Sequence, residues 1–116
     1  MLFNKTKKLK VIEKTIKADS FFKRFKGLMF AEKPDYALVF ELESEGVLNA
    51  SIHMLFVFYP IDAVYLNKEK KVVDIKKDFK PFSLNYTPKT PSKYFIEFLA
   101  GTVGNKIELN DELEWS

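Results

Sequence analysis

The sequence predicts a mainly β fold, in the form of a compact antiparallel barrel or sandwich of short strands with one short N-terminal helix. Stretches rich in β-branched and aromatic residues recur along the 116-residue chain. Turn signals separate these stretches at intervals of roughly ten residues, as in all-β domains. Only one segment carries a helical pattern, so strands that alternate with helices are not expected. The length predicts a single domain over residues 1–116, with residues 1–6 as a loose tail.

The elements follow from local patterns along the chain. Lys8 to Lys17 mixes lysines with β-branched residues, which is typical of an outer strand. A helix is predicted at about residues 19–26, because Asp19 can cap its start and Gly27 can end it in a left-handed conformation. Later apolar runs predict further strands over residues 36–42, 51–59, 61–66, 71–77, 93–99, 106–109 and 113–115.

One hairpin and one long loop organise the middle of the chain. Asn67 to Lys70 form a polar connection, so the strands at 61–66 and 71–77 should pair antiparallel. Residues 78–92 contain three of the five prolines together with several aromatic residues, and they show no strand or helix period. Loops of this length are uncommon in small domains and are often functional.

Composition excludes several classes of protein. The chain has no cysteine, which excludes disulfides and thiolate metal sites, and its single histidine excludes a two-histidine metal site, so no metal or cofactor is predicted. No apolar run approaches the ~20 residues of a membrane-spanning helix, and the first residues lack a signal-peptide pattern, so a soluble, cytoplasmic protein is expected. Abundant lysine and glutamate without glutamine resemble the composition of proteins from hot environments.

The charges are unevenly distributed. The chain carries a net +3, but residues 1–26 hold nine positive and two negative side chains, and residues 105–116 hold one positive and four negative. A basic front could contact RNA or DNA, although lysines on an outer strand also prevent aggregation. In the nucleic-acid alternative, the contacts would come from Lys8, Lys10, Lys14, Lys23 and Lys26.

A few polar residues interrupt apolar runs and are candidates for chemistry. His53 lies within an apolar strand, where it could act as a general base but is more often a hydrogen-bonded structural residue. Asp62 begins a buried strand, and its charge must be compensated there. Arg24 is the only arginine, and a bidentate pair with Asp62 would satisfy both groups.

Glu97 is a second candidate carboxyl group. Alternation places it on the face of its strand opposite Ile96 and Phe98, where it could simply face water. If Glu97 and Asp62 shared one site, they could form an acid–base pair. A hydrolase-like enzyme that uses His53 and a carboxylate is therefore one alternative, and its test is whether the side chains converge on a common point.

The preferred hypothesis is a non-enzymatic domain that binds a small ligand or a peptide. Its pocket would lie near His53, Asp62 and the 78–92 loop, because aromatic walls with a few polar groups are typical of ligand sites. The partner itself is unknown. The candidate ligand-binding residues are Arg24, His53, Asp62, Phe82, Tyr86 and Glu97.

Several ordered motifs resemble those of a known family. They are the segments 24–30 (RFKGLMF), 51–54 (SIHM), 58–62 (FYPID) and 97–101 (EFLAG). In this order they are similar to the domain of unknown function 192 family, and the histidine before Met54 is similar to its archaeal branch. Two departures concern local turns: Leu99 stands where the family usually has proline, and Asn110-Asp111 stands where it favours Gly-Asp.

The resemblance implies a compact, mainly β fold with one short helix and no established activity. The positions that match the family pattern become candidates for that reason alone. They are Arg24, Gly27, Met29, His53, Met54, Asp62, Glu97 and Gly101.

Overall fold

The computed structural model describes residues 1–18, 36–46, 60–79 and 91–116, and most of these residues lie in strands. Eight strands follow one another in chain order: β1 (Leu2–Asn4), β2 (Leu9–Ile12), β3 (Lys14–Ala18), β4 (Tyr36–Gly46), β5 (Ile61–Leu66), β6 (Val72–Phe79), β7 (Ser92–Leu99) and β8 (Leu113–Trp115). The mainly β class predicted from the sequence is confirmed for this part of the chain. The described residues contain no helix long and apolar enough to cross a membrane.

The strands form two separate sheets. One has three strands in the order β2-β1-β8, and the other has five in the order β3-β4-β7-β5-β6. The prediction of an antiparallel barrel or sandwich with one helix is wrong as stated. The sheets do not close into a barrel, β3 pairs with β4 in parallel, and the described ranges contain no helix. The predicted helix at about 19–26 lies outside those ranges.

The parallel pair has a simple cause in connection length. Strands joined by a short turn pair antiparallel, whereas a parallel pair needs a crossover of a dozen or more residues. Residues 19–35 separate β3 from β4, which is enough for a crossover. Local strand patterns carry no information about which of these two pairings forms.

The first residues form the centre of a sheet, where the sequence suggested a loose tail. β1 lies between β2 and β8, and the side chains of Leu2 and Asn4 are fully buried. Its backbone pairs with β8 over Leu2↔Trp115 and Asn4↔Leu113. A short strand near a chain end is ordered here because distant residues pair with it on both sides.

The predicted strand over residues 8–17 is two strands. β2 pairs with β1, and after Glu13 the chain continues as β3, which pairs with β4 in the other sheet. The predicted strand at 106–109 is a pair of turns instead, in which the Lys106 N–H donates to the Val103 carbonyl at 2.8 Å. In both segments, the secondary structure depends on partners that are distant in sequence, and the local pattern does not specify it.

The central hairpin is confirmed. β5 and β6 pair antiparallel, and the Asn67 side chain organises the connection by accepting hydrogen bonds from the Glu69 and Lys71 N–H groups, both at 3.0 Å. Lys70 adopts a left-handed conformation with φ of 64°. The pairing also contains a β-bulge, because Lys77 and Asp78 of β6 together lie opposite the single residue Asp62 of β5.

One cluster of buried apolar side chains draws on both sheets. The five-stranded sheet contributes alternate residues from its inner strands, including Val39, Val64 and Ile96. The three-stranded sheet contributes Leu2 and Leu113. We call the side of the five-stranded sheet that faces this cluster the core face. It carries Ala37, Val39, Val64, Leu66, Ile96 and Phe98.

Candidate functional site

The opposite side of the five-stranded sheet is also buried, and it carries aromatic rings. Phe40 and Phe95 lie opposite each other in the β4–β7 register, and their ring centroids are 4.4 Å apart at an interplanar angle of 22°. Tyr65 on β5 lies 6.1 Å from Phe95. We call this side the Glu97 face. Strand alternation places on it Leu38, Phe40, Ala63, Tyr65, Phe95 and Glu97.

Glu97 lies in the middle of this face. Its strand, β7, is the central one of the five, and the register places Glu97 between Leu38 of β4 and Ala63 of β5. The residue is 6% exposed. Burial raises the pKa of Glu97 to about 8, because the charged form loses its hydration. Glu97 therefore carries a proton at neutral pH.

Asp62 lies on the neighbouring strand and has a very different environment. It is 1% exposed, and backbone N–H groups occupy both of its carboxyl oxygens. Oδ2 accepts from Gly101 at 3.0 Å and from Val103 at 3.1 Å, while Oδ1 accepts from Asp78 at 3.0 Å. The bulge in β6 and the left-handed Asp78, with φ of 53°, place the third donor. Asp62 thus joins the end of β6 to the turn after β7.

The two carboxyl groups belong to opposite faces of the sheet. Asp62 lies opposite Phe98 and Glu97 lies opposite Ala63, and successive residues of a strand point to opposite sides. The acid–base pair considered from the sequence is therefore not brought together. The charge of Asp62 is compensated as expected for a buried carboxylate, and backbone donors supply that compensation.

The remaining candidate ligand-binding residues lie outside the described ranges. They are Arg24, His53, Phe82 and Tyr86. The pair of Arg24 with Asp62, the role of His53 and the role of the 78–92 loop therefore stay predictions.

The basic front and the acidic tail of the chain neutralise each other in part. Lys5 Nζ lies 3.0 Å from Glu112 Oε2, and Lys7 forms an ion pair with Glu108 and lies 3.9 Å from Asp111. These contacts follow from the pairing of β1 with β8, which brings the two ends of the sequence together. Much of the charge asymmetry in the sequence thus has a structural explanation.

The structure does not show the five lysines of the nucleic-acid alternative as one basic surface. Lys10 is paired with Glu13 at 2.7 Å, while Lys8 and Lys14 are exposed. Lys23 and Lys26 lie outside the described ranges. The described part of the chain gives no geometric support for a basic binding surface.

Sequence reasoning missed a buried polar network at the chain ends. Asn4 Nδ2 donates to the Lys106 carbonyl and to Asp111 Oδ2, both at 2.8 Å, and Asn4 Oδ1 accepts from the Lys7 N–H at 3.0 Å. Asp111 Oδ2 also accepts from the Glu108 N–H at 2.9 Å. No local signal predicts this network, because both partners of the Asn4 amide nitrogen lie more than a hundred positions away.

A cluster of aromatic rings and a lysine lies at the other end of β8. Tyr94 and Trp115 meet edge to face with centroids 5.2 Å apart, and Lys70 Nζ lies 4.5 Å from the Trp115 ring centroid. The lysine already covers the indole ring, as in other cation–π contacts.

Within the described ranges, no group of three or more histidine, aspartate or glutamate side chains could hold a metal ion.

Comparison with known proteins identifies the family. The family model of domain of unknown function 192, described as an uncharacterized ACR, matches residues 2–115. This chain belongs to the domain of unknown function 192 family. Similar members of the family include a UPF0127 protein of Thermococcus sibiricus, 47% identical over 99% of this chain and 74% of its own length, and one of Pyrococcus furiosus, 46% identical over 85% and 84%.

A solved structure supports the fold of this family member. The crystal structure of a protein of unknown function from Novosphingobium aromaticivorans aligns with a TM-score of 0.77 at 20% identity, over 87% of this chain and 74% of that one.

Three positions of the family pattern lie in the described ranges. Asp62 and Gly101 are joined by a hydrogen bond, which gives this pair a structural role, whereas Glu97 lies apart on the other face.

Proposed function

We propose that this domain binds a small ligand or a peptide segment on the Glu97 face, with the Glu97 carboxyl group as its main polar contact. One observation carries the proposal: Glu97 is only 6% exposed, on a strand face that also carries the aromatic rings of Phe40 and Phe95. Acidic residues are rarely buried to this degree, and a buried acidic group with a strongly raised pKa is typical of functional sites. Ligand binding is one role that such a group can have.

The surroundings of Glu97 favour a binding role over a structural one. Its register neighbours, Leu38 and Ala63, are apolar, so a leucine at position 97 would suit the packing and avoid the cost of burying a carboxyl group. Apolar and aromatic walls with a few polar groups are typical of ligand sites. A buried group with a strongly shifted pKa also occurs most often at functional sites.

The same reasoning argues against Asp62 as a ligand contact. Three backbone N–H groups already occupy its oxygens, and a ligand would have to displace at least one of them. The predicted pocket near His53, Asp62 and the 78–92 loop is therefore recentred on Glu97. His53, Phe82 and Tyr86 stay predicted contributors to this site.

NMR spectroscopy tests this proposal directly. Pools of uncharged metabolites and short peptides are added to the ¹⁵N-labelled protein, and amide shifts are followed in the wild type and in Glu97→Leu. We expect shifts centred on Phe40, Tyr65 and Phe95 in the wild type and their loss in the variant. The control is Glu114→Gln on β8, which changes an exposed carboxyl group in the other sheet and should bind normally.

Two results would contradict the proposal. Binding that persists unchanged in Glu97→Leu would show that the carboxyl group is not a contact. Shifts confined to the turn at Gly101 to Val103 would place the site at Asp62 on the opposite face.

A further inference from the structure

We propose that this chain forms a symmetric dimer through the outer edge of β6, with Ile75 on the two-fold axis. The inference is independent of the ligand proposed for the Glu97 face and concerns a second surface of the molecule. It rests on the position of β6 at the edge of its sheet, on the hydrogen bond that one N–H of this edge makes, and on the order of the charges around it.

β6 is an outer strand of the five-stranded sheet. It pairs with β5 on one side, and no described strand pairs with its other side between Val73 and Phe79. Val73, Asp74, Ile75 and Lys76 are all partly exposed. An outer strand presents a row of N–H and carbonyl groups with which another strand can pair. A second chain can therefore extend the sheet here.

The Ile75 N–H marks the centre of this edge. It donates to Asp74 Oδ1 at 2.9 Å, so its acceptor is a side chain of the same strand. In an antiparallel pair, two residues that lie directly opposite each other can exchange two N–H···O=C bonds. When Ile75 of one copy lies opposite Ile75 of another, each N–H exchanges the side-chain oxygen for a backbone carbonyl. The N–H keeps a hydrogen bond, and the Asp74 carboxylate becomes available for another contact.

The charges on either side of Ile75 are self-complementary. A two-fold axis at Ile75 places Asp74 of each copy opposite Lys76 of the other, because the two strands run antiparallel. Both side chains lie on the Glu97 face, since their register partners are Tyr65 and Ala63. Opposite charges directly across two strands stabilise the pair, and the symmetry provides two such contacts. This match favours a second copy of the chain over an unrelated strand.

Two bulges limit the interface. One lies at Val73, next to Asp74, and the other is formed by Lys77 and Asp78. A bulge interrupts regular pairing and increases the local twist of its strand. The contact is therefore confined to a short segment centred on Ile75, which favours this register over others.

Sedimentation equilibrium tests the dimer. We expect the wild type to associate reversibly, and Asp74→Lys and Lys76→Asp each to shift the equilibrium towards the monomer, because each variant places like charges opposite each other. The dissociation constant should rise at least about tenfold, since two attractive pairs become repulsive. An equimolar mixture of the two variants should form heterodimers, in which both pairs again carry opposite charges.

Lys8→Asp is the matched control. It makes the same change of charge as Lys76→Asp, at an exposed position between β1 and β2 in the other sheet. Its dissociation constant should equal that of the wild type. Circular dichroism checks that every variant is folded, and recovery of association in the mixture excludes misfolding as the cause of its loss.

A disulfide can report the register, because the chain contains no cysteine. Positions 74 and 76 of the two copies would form a pair without backbone hydrogen bonds, in which Cα atoms lie about 4.5 Å apart and a disulfide can form. Mixing Asp74→Cys with Lys76→Cys should therefore give a cross-linked dimer on mild oxidation. Either variant alone should give much less.

The contrary model is an edge whose charges and bulges prevent pairing. In that model Asp74 protects the Ile75 N–H, so Asp74→Ala should increase association, whereas the proposed dimer requires a decrease. A wild type that sediments as a monomer at every concentration would overturn the proposal. A dimer that Asp74→Lys leaves unchanged would do the same.

Discussion

Asp62 and Glu97 are two buried carboxyl groups on adjacent strands, and they differ in almost everything except burial. Asp62 is 1% exposed and accepts three backbone hydrogen bonds, whereas Glu97 is 6% exposed and burial raises the pKa of its carboxyl group to about 8. They lie one register step apart but on opposite faces of the sheet. The first stabilises a bulge and a turn, and the second is a polar group in an apolar environment.

The difference shows that burial alone does not define the role of a carboxyl group. Backbone N–H groups satisfy both carboxyl oxygens of Asp62, because each oxygen accepts at least one hydrogen bond. Burial of Glu97 raises the pKa of its carboxyl group to about 8, which favours the protonated form. A satisfied carboxylate contributes to stability, and an unsatisfied one lowers stability unless something else binds it.

The largest effect should come from removing the satisfied group. Asp62→Ala leaves three N–H groups without an acceptor, and we expect it to lower the free energy of unfolding by about 4 kcal/mol. Urea denaturation followed by circular dichroism measures this. Formate or acetate should restore part of the loss by occupying the same donors. Asp62→Asn, which keeps one oxygen acceptor, is the matched control and should cost less. A loss below about 1 kcal/mol for Asp62→Ala would contradict the structural role.

Glu97 should behave in the opposite way. Glu97 keeps its proton in the folded protein up to about pH 8, whereas in the unfolded chain it loses the proton above its ordinary pKa of 4.5. The unfolded state therefore binds fewer protons in this range, and stability falls as pH rises from about 4.5 to 8. We expect Glu97 to cost about 2.5 kcal/mol more at pH 7 than at pH 5.

Glu97→Gln isolates this contribution, because it removes the titrating group and keeps the shape. The difference in unfolding free energy between variant and wild type should grow in favour of the variant from pH 5 to pH 8. Denaturant curves at several pH values measure it. A difference that stays constant with pH would mean that Glu97 ionises normally in the folded protein.

Asn4 tests whether the comparison extends to a neutral side chain. It is fully buried and makes three hydrogen bonds, to Lys106, Asp111 and Lys7, so it resembles Asp62 more than Glu97. We expect Asn4→Ala to lower the free energy of unfolding by about 2 kcal/mol. The control is Asn105→Ala at an exposed turn position, which should change stability little. Equal effects of the two substitutions in chemical denaturation would contradict the network.

The smallest effect should come from a substitution at Gly101, which donates a hydrogen bond to Asp62. Gly101 has a φ of 93°, which an L-residue rarely adopts, and its N–H donates to Asp62. We expect Gly101→Ala to cost about 2 kcal/mol at most, and less in the Asp62→Ala background, where the turn is already loosened. Gly104→Ala is the control: its φ of 47° is nearer the ordinary left-handed region and its N–H does not contact Asp62. Thermal unfolding of the four proteins gives the coupling, and strict additivity would argue against it.

Much of the fold was predictable from local patterns, but the candidate site was only partly so. The strand at 61–66 and the hairpin to the next strand followed from apolar runs and a polar connection, which are properties of neighbouring residues. Asp62 and Glu97 were recognisable as unusual because each interrupts an apolar strand. The three backbone hydrogen bonds of Asp62 were not predictable, since their donors lie 16 to 41 positions away.

The amino-acid sequence by itself determined the β-rich character of this protein, the hairpin, and the alternation that puts Glu97 on the face opposite Ile96. Only the tertiary structure decided that the first residues form a central strand, that residues 8–17 divide between two sheets, and that Asp62 and Glu97 have opposite environments. The physical reason is the range of the interactions. Strand formation and alternation depend on adjacent residues, whereas strand order, burial and hydrogen-bond satisfaction depend on residues that meet only when the chain folds.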